Sequence, residues 1–135
     1  MTNDLFTEPV STGDDLLERV AGLLGTAVRH QFWLLFIDAD GRQLQTLVPI
    51  DGVPDSPGPQ EALRFAPMLD WLAEGEGAHS VAFVIERPGD REFGENDLAW
   101  ARVLAEAASF IELPVRGLVV MHTDGVRWLA ADDYA

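Results

Sequence analysis

Residues 80–104 read SVAFVIERPGDREFGENDLAWARVL, and the order of residue types along them decides the fold. Val81 to Ile85 is a wholly apolar run of strand length, which suits a strand buried on both faces. Pro88 and Gly89 turn it into a polar loop. Glu95 and Asp97 then put carboxylates into a first helical turn, where the positive end of the helix dipole favours them. Leu98, Ala101, Leu104, Ala105, Ala108 and Ile111 form one apolar stripe along a helix expected over 95–113, while Trp100, Val103, Ala107 and Phe110 form a second. Such a helix is buried on two sides.

Outward from this unit the same logic finds its neighbours. Upstream, residues 13–29 carry Leu16, Val20, Leu23, Leu24 and Ala27 at helical spacing behind Thr12, Asp14 and Asp15. Gln31 to Asp38 is an apolar strand, and Asp40-Gly41 turns it back into residues 43–50, whose alternation gives one wetter face. The Pro- and Gly-rich stretch 51–59 is a loop. Residues 60–74 form a helix anchored by Leu63, Phe65, Leu69 and Leu72, with Pro67 expected to kink or divide it. Downstream of Pro114, residues 115–122 form a third buried strand, and Thr123-Asp124-Gly125 returns the chain into 126–129. The order is helix, hairpin, helix, strand, helix, hairpin, which favours an α/β fold: a single domain, one mixed β-sheet flanked by helices. The expected division is a flexible leader over 1–12 and one domain over 13–135.

Composition narrows the function. A chain of 135 residues is one domain by length. Its net charge of −14 argues against a nucleic-acid partner, because few cations exist to displace phosphate counterions, and against anionic membrane surfaces. Without cysteine there is no disulfide, thiolate nucleophile or Cys-based metal site. The start MTNDLFTEPV lacks the basic and apolar regions of a signal peptide, and no apolar run nears the roughly 20 residues that span a bilayer. A cytoplasmic protein is expected.

The strand–Pro88–loop–Asp97–helix unit, the Asp38-Ala39-Asp40-Gly41-Arg42 turn and the closing Asp124-Gly125-Val126-Arg127-Trp128-Leu129 resemble, in order and spacing, the RadC-like members of the JAB/MPN (JAMM) metalloprotease fold over about Phe32 to Leu129. The resemblance implies a zinc frame: a His-x-His-Pro at the strand end, a Ser-x-x-Asp at the helix start and an upstream general-base glutamate. Three ligands would leave an open position where zinc activates a water. Here the histidine positions fall on Ile85 and Arg87, the serine position on Gly94, and only Asp97 matches a ligand. No glutamate lies between Ala39 and Gln60. The resemblance therefore implies a degenerate, non-catalytic member with no metal and no cofactor, acting as a protein-binding or scaffolding module with a protein or peptide partner.

For Asp97 the simplest role is a helix cap, and for Arg87 either a pairing with Glu86, Asp90 or Glu92 or plain solvation. His122-Thr123-Asp124 is half a metal site at best, with His30 and His79 as the remaining imidazoles. Phe93 in a polar loop, together with Trp100 and Phe110 on the second stripe, are the candidate partner contacts. That stripe needs cover, from the helix at 13–29 or from a second subunit in a homodimer, and the helix is favoured because it has an apolar face of its own to bury. Two other classes remain open: a hydrolase with relocated residues such as Asp97 and His122, or a PAS/GAF-like small-ligand sensor.

Overall fold

The computed structural model describes residues 13–134. Along them run α1 (Gly13–Leu24), β1 (Gln31–Ile37), β2 (Gln43–Ile50), α2 (Glu61–Glu76), β3 (Ser80–Glu86), α3 (Glu95–Phe110), β4 (Val115–His122), β5 (Gly125–Trp128) and α4 (Ala131–Tyr134). The expected leader over 1–12 lies outside the described residues. Five strands form one open sheet in the order β2-β1-β3-β4-β5, in which only β3 and β4 run parallel. The domain is α/β with a mixed sheet, and no helix among the described residues is long and apolar enough to cross a membrane.

Strand alternation sorts the core into two layers. Phe32, Leu34, Phe36, Phe83, Ile85 and Val120 face α2 and α3, where they meet Phe65, Leu69, Ala101 and Leu104. Leu35, Ile37, Ala82, Val84, Val119 and Met121 face α1, which delivers Leu16 and Val20. Both faces are covered, which is why the central strands are apolar throughout rather than alternating with polar residues.

The second stripe of α3 is covered in part from within the chain, and not by α1. The chain crosses from β2 over β1 to β3 through α2, then from β3 to β4 through α3. Right-handed crossovers taken in the same direction along a sheet put both helices on the same face. α2 therefore packs beside α3, and α1 is left for the opposite face. Trp100 and Ala107 are buried, whereas Phe110 remains exposed. Helix 95–113 was expected to run to Leu113, but it stops at Phe110 because Glu112 turns to φ 56. α1 stops at Leu24 because Gly25 takes φ 80.

Pro67 does not divide its helix. α2 is one element from Glu61 to Glu76, closed by Gly77 at φ 70. Pro67 is exposed, so the bond its ring forfeits falls on the solvent side, where water can satisfy the freed carbonyl. Leu63, expected as an anchor, is also exposed, while Phe65 and Leu69 hold the core. In β4, a Cβ added to Gly117 would lie 2.5 Å from Leu16 Cδ2 and 2.5 Å from Trp128 Cη2, so the absence of a side chain lets α1 approach the sheet.

Candidate functional site

Because β3 and β4 run parallel, their carboxyl ends lie side by side, the position where open α/β sheets most often build sites. Three connecting segments gather there. Ala27 N–H donates to the His122 carbonyl at 3.0 Å, Thr123 N–H to the Gly89 carbonyl at 3.1 Å, and Trp100 Nε1–H to the Pro54 and Asp55 carbonyls at 3.1 Å each. At this corner β3 releases two consecutive charges, Glu86 and Arg87.

Glu86 points to the α1 face and is buried. Its Oε1 accepts from Gln31 Nε2 and Trp33 Nε1, each at 2.8 Å, and its Oε2 from the N–H groups of Val28 at 2.7 Å and Arg29 at 3.2 Å. Burial by itself pushes this carboxyl's pKa up, but the four donors outweigh it and hold the pKa below the ordinary 4.5. Two of these donors are backbone groups of the irregular segment between α1 and β1. The carboxylate thus satisfies N–H groups that have left helical pairing.

Arg87 follows on the α3 side. Its Nε donates to both oxygens of Asp97 at 3.1 Å, and its Nη2 to Asp97 Oδ2 at 2.9 Å and to the Glu92 carbonyl at 2.7 Å. Its Nη1 donates to the Asp90 carbonyl. The loop 88–94 therefore wraps the guanidinium. Asp97 Oδ2 also accepts the Gly94 N–H at 2.9 Å, so the expected helix cap is present. Gly94 has no side chain to return the bond. The expected pairing of Arg87 with Glu86, Asp90 or Glu92 is corrected: the ion pair is with Asp97, while Asp90 and Glu92 contribute only carbonyls. Glu86 faces the other side of the sheet, because consecutive strand residues alternate. Ile85, the other residue expected at a histidine position, is packed in the core beneath α2 and α3.

Beside this pair a cavity of about 200 Å³ is lined by His30, Asp55, Arg87, Pro88 and Asn96. It is below the range of about 300–1,000 Å³ typical for drug-sized ligands. His30 Nδ1 stands 3.7 Å from an exposed Asp55 carboxylate. His122 is buried and its Nδ1 accepts the Asp124 N–H, whereas the bonds of Asp97 run to Arg87 and Gly94. His79 lies at the far end of β1, where its N–H bonds the Ile37 carbonyl, well away from His30. Among the described residues no group of three or more histidine, aspartate or glutamate side chains is placed to hold a metal ion.

The aromatic candidates separate. Trp100 stacks edge-on against Phe32, with ring centroids 4.8 Å apart, and its indole N–H is taken by the 51–59 loop; it is a core residue and is withdrawn as a partner contact. Phe93 is half-buried, with the Arg127 guanidinium 4.1 Å above its ring, a cation–π contact that covers one face. Of the three, only Phe110 counts as exposed. The buried role of Glu86 escaped sequence reasoning, which named it only as a partner for Arg87, although a single carboxylate ending the apolar run SVAFVIE was a usable signal. Trp71, 74% exposed on α2, escaped it too, because tryptophan usually reads as core. Comparison with protein-family models and with curated proteins finds no match to this chain.

Proposed function

We propose that this chain is a catalytically inactive JAB/MPN-like domain that serves, in the cytoplasm, as a binding module for a protein or peptide. The observation that carries the reading is the Arg87–Asp97 pair. The one residue that matches a ligand of the metalloprotease frame spends its carboxylate on a guanidinium and a helix N-terminus. A guanidinium keeps its proton at any physiological pH, so it stands as a permanent cation against that carboxylate. The other ligand position, Ile85, offers no donor atom. A hydrolase built on Asp97 with His122 would need a free carboxylate at Asp97, and that carboxylate is held by Arg87. The net charge of −14 supports a protein rather than a nucleic acid as partner.

The test is metal analysis of the purified full chain after incubation with zinc, together with an isopeptide-cleavage assay. The expected result is neither stoichiometric zinc nor cleavage. One tightly held zinc per chain, lost in Asp97→Ala, overturns the reading.

A further inference from the structure

The second crossover helix creates a surface that the degenerate corner does not explain. Where α2 lies against α3, two open cavities follow one another along the helix pair. One, of about 400 Å³, is lined by Leu63, Ala62, Val103 and Phe110 with Glu61 and Glu106 at its edge. The next, of about 550 Å³, is lined by Ala73, Ala78, Ile111 and Leu113 with Asp70, Glu74, Glu112 and His79. In the first cavity Leu63 is 56% and Phe110 47% exposed, whereas in the second Ala73 and Leu113 are buried and Ala78 and Ile111 half-buried. On α2, Leu63, Pro67 and Trp71 recur every fourth residue, which places the exposed Trp71 beside the groove on the outer side of the helix, outside the lining of either cavity.

The charges around this groove have one sign. Five carboxylates line it, and His79 is the sole lining residue able to become a cation. The chain contains nine arginines and no lysine. None of the arginines lines either cavity: Arg87 is held by Asp97, Arg102 by the Tyr134 carbonyl, and Arg127 by the Arg91 carbonyl and the Phe93 ring. Arg64, the only arginine of α2, is exposed outside both cavities.

We infer that the α2–α3 groove is the docking surface of the module and that its occupant is a short amphipathic helix of another protein, apolar along one face and flanked by lysine or arginine. This rests on the reading of the chain as a binding module. Two neighbouring helices present the ridges against which a third helix packs, and a helix laid in such a groove is read through anchors at i, i+3, i+4 and i+7. From Leu63 to Glu74 the groove runs about 16 Å at 1.5 Å per residue, which matches roughly three helical turns of partner. The apolar floor accepts the anchors and the acidic rim selects the flanks. A second copy of this chain is disfavoured as occupant, because it would set one acidic rim against another.

The probe is a synthetic amphipathic helix of about 14 residues, with leucines along one face and lysines beside them. A second peptide replaces each lysine with glutamate. Each is titrated into the isotope-labelled full chain, with NMR shifts mapping the contact and tryptophan fluorescence reporting on Trp71. The lysine peptide is expected to shift amides of α2 and of the Val103–Leu113 region, and to bind at least about tenfold more tightly than the glutamate peptide. Its Kd should weaken by about tenfold as salt rises from ~0.1 to ~1 M, where the Debye length falls from ~10 to ~3 Å. Phe110→Ala should weaken it about tenfold and Glu74→Gln with Glu106→Gln about fivefold, all at exposed positions that leave the melting temperature unchanged.

Absence of binding, equal binding of both peptides, or shifts confined to another surface overturns the groove. So does a dimer of the full chain abolished by Trp71→Ser, which would make the second copy the occupant. The two readings fail separately: shifts elsewhere, with no zinc bound, remove the groove and keep the binding module, whereas zinc with cleavage removes the module itself.

Discussion

Glu86 and Arg87 are neighbours in the chain, carry opposite charges and leave β3 toward opposite faces, yet they are stabilised in different ways. Glu86 has no cation beside it. Four uncharged N–H donors surround it, drawn from residues 28 to 33, more than fifty positions away in sequence. Arg87 has a full counter-charge in Asp97, and every partner it finds lies within ten residues. The difference teaches that a buried charge can join distant parts of a fold or close a local loop, according to where its partners come from. Glu86 ties β3 to β1 and to the segment after α1. Arg87 and Asp97 fasten the β3–α3 loop to the head of its own helix.

The largest effect is expected at Glu86. Glu86→Ala strands four donors, two of them backbone, and should cost about 3–5 kcal/mol of unfolding free energy by chemical denaturation. A loss below about 1 kcal/mol would break the contrast, since the cage would then be ornamental. The pH dependence sharpens it. Because the native pKa of Glu86 lies below the unfolded value, its contribution is fully present above about 4.5 and is lost as the pH falls through that value toward the native one. The stability of Glu86→Gln should therefore fall less steeply below that pH than that of the parent chain.

Asp97→Ala comes next, at about 2–4 kcal/mol, because it removes both the partner of a mostly buried guanidinium and a helix cap. Asp97→Asn should recover part of this by keeping the acceptor for the Gly94 N–H. Hydrogen exchange should quicken in loop 88–94 in both variants while β1 stays protected. Faster exchange across β1 would show that the Arg87 corner is not local.

An uncharged control lies one strand away. Gly117→Ala should cost about 1–3 kcal/mol, because the new methyl meets Leu16 and Trp128, and it should do so at any pH. A pH-dependent loss would indicate that α1 is held mainly through Glu86. The smallest effect belongs to Trp71→Ser, which should change stability by less than about 0.5 kcal/mol, as a substitution at an exposed surface position does. A larger loss would show that Trp71 is part of the core after all.

The apolar runs at 31–37, 80–86 and 115–122, the turn at Asp40-Gly41 and the caps around Asp97 were legible because each depends on side chains adjacent in sequence. Pro67 misled, since its effect depends on whether the lost bond faces core or solvent, and that is a property of the helix's surroundings. Trp100, expected to face outward, is buried, and the exposed Trp71 gave no local signal, for the same reason. Local pattern identifies a large aromatic but not the face on which a neighbouring helix will lie.

Amphipathic periodicity, turn chemistry and charge balance by themselves determined the order of elements from α1 to β5 and the α/β class, because these are properties of residue type and near spacing. Strand order was decided only in the tertiary structure. Placing β1 between β2 and β3 makes two successive crossovers run in the same direction, and the handedness of such crossovers sends α2 and α3 to one face and α1 to the other. From that single arrangement follow the cover over Trp100, the acidic groove beside Phe110 and the cage around Glu86, whose four donors come together only once β1 has paired with β3.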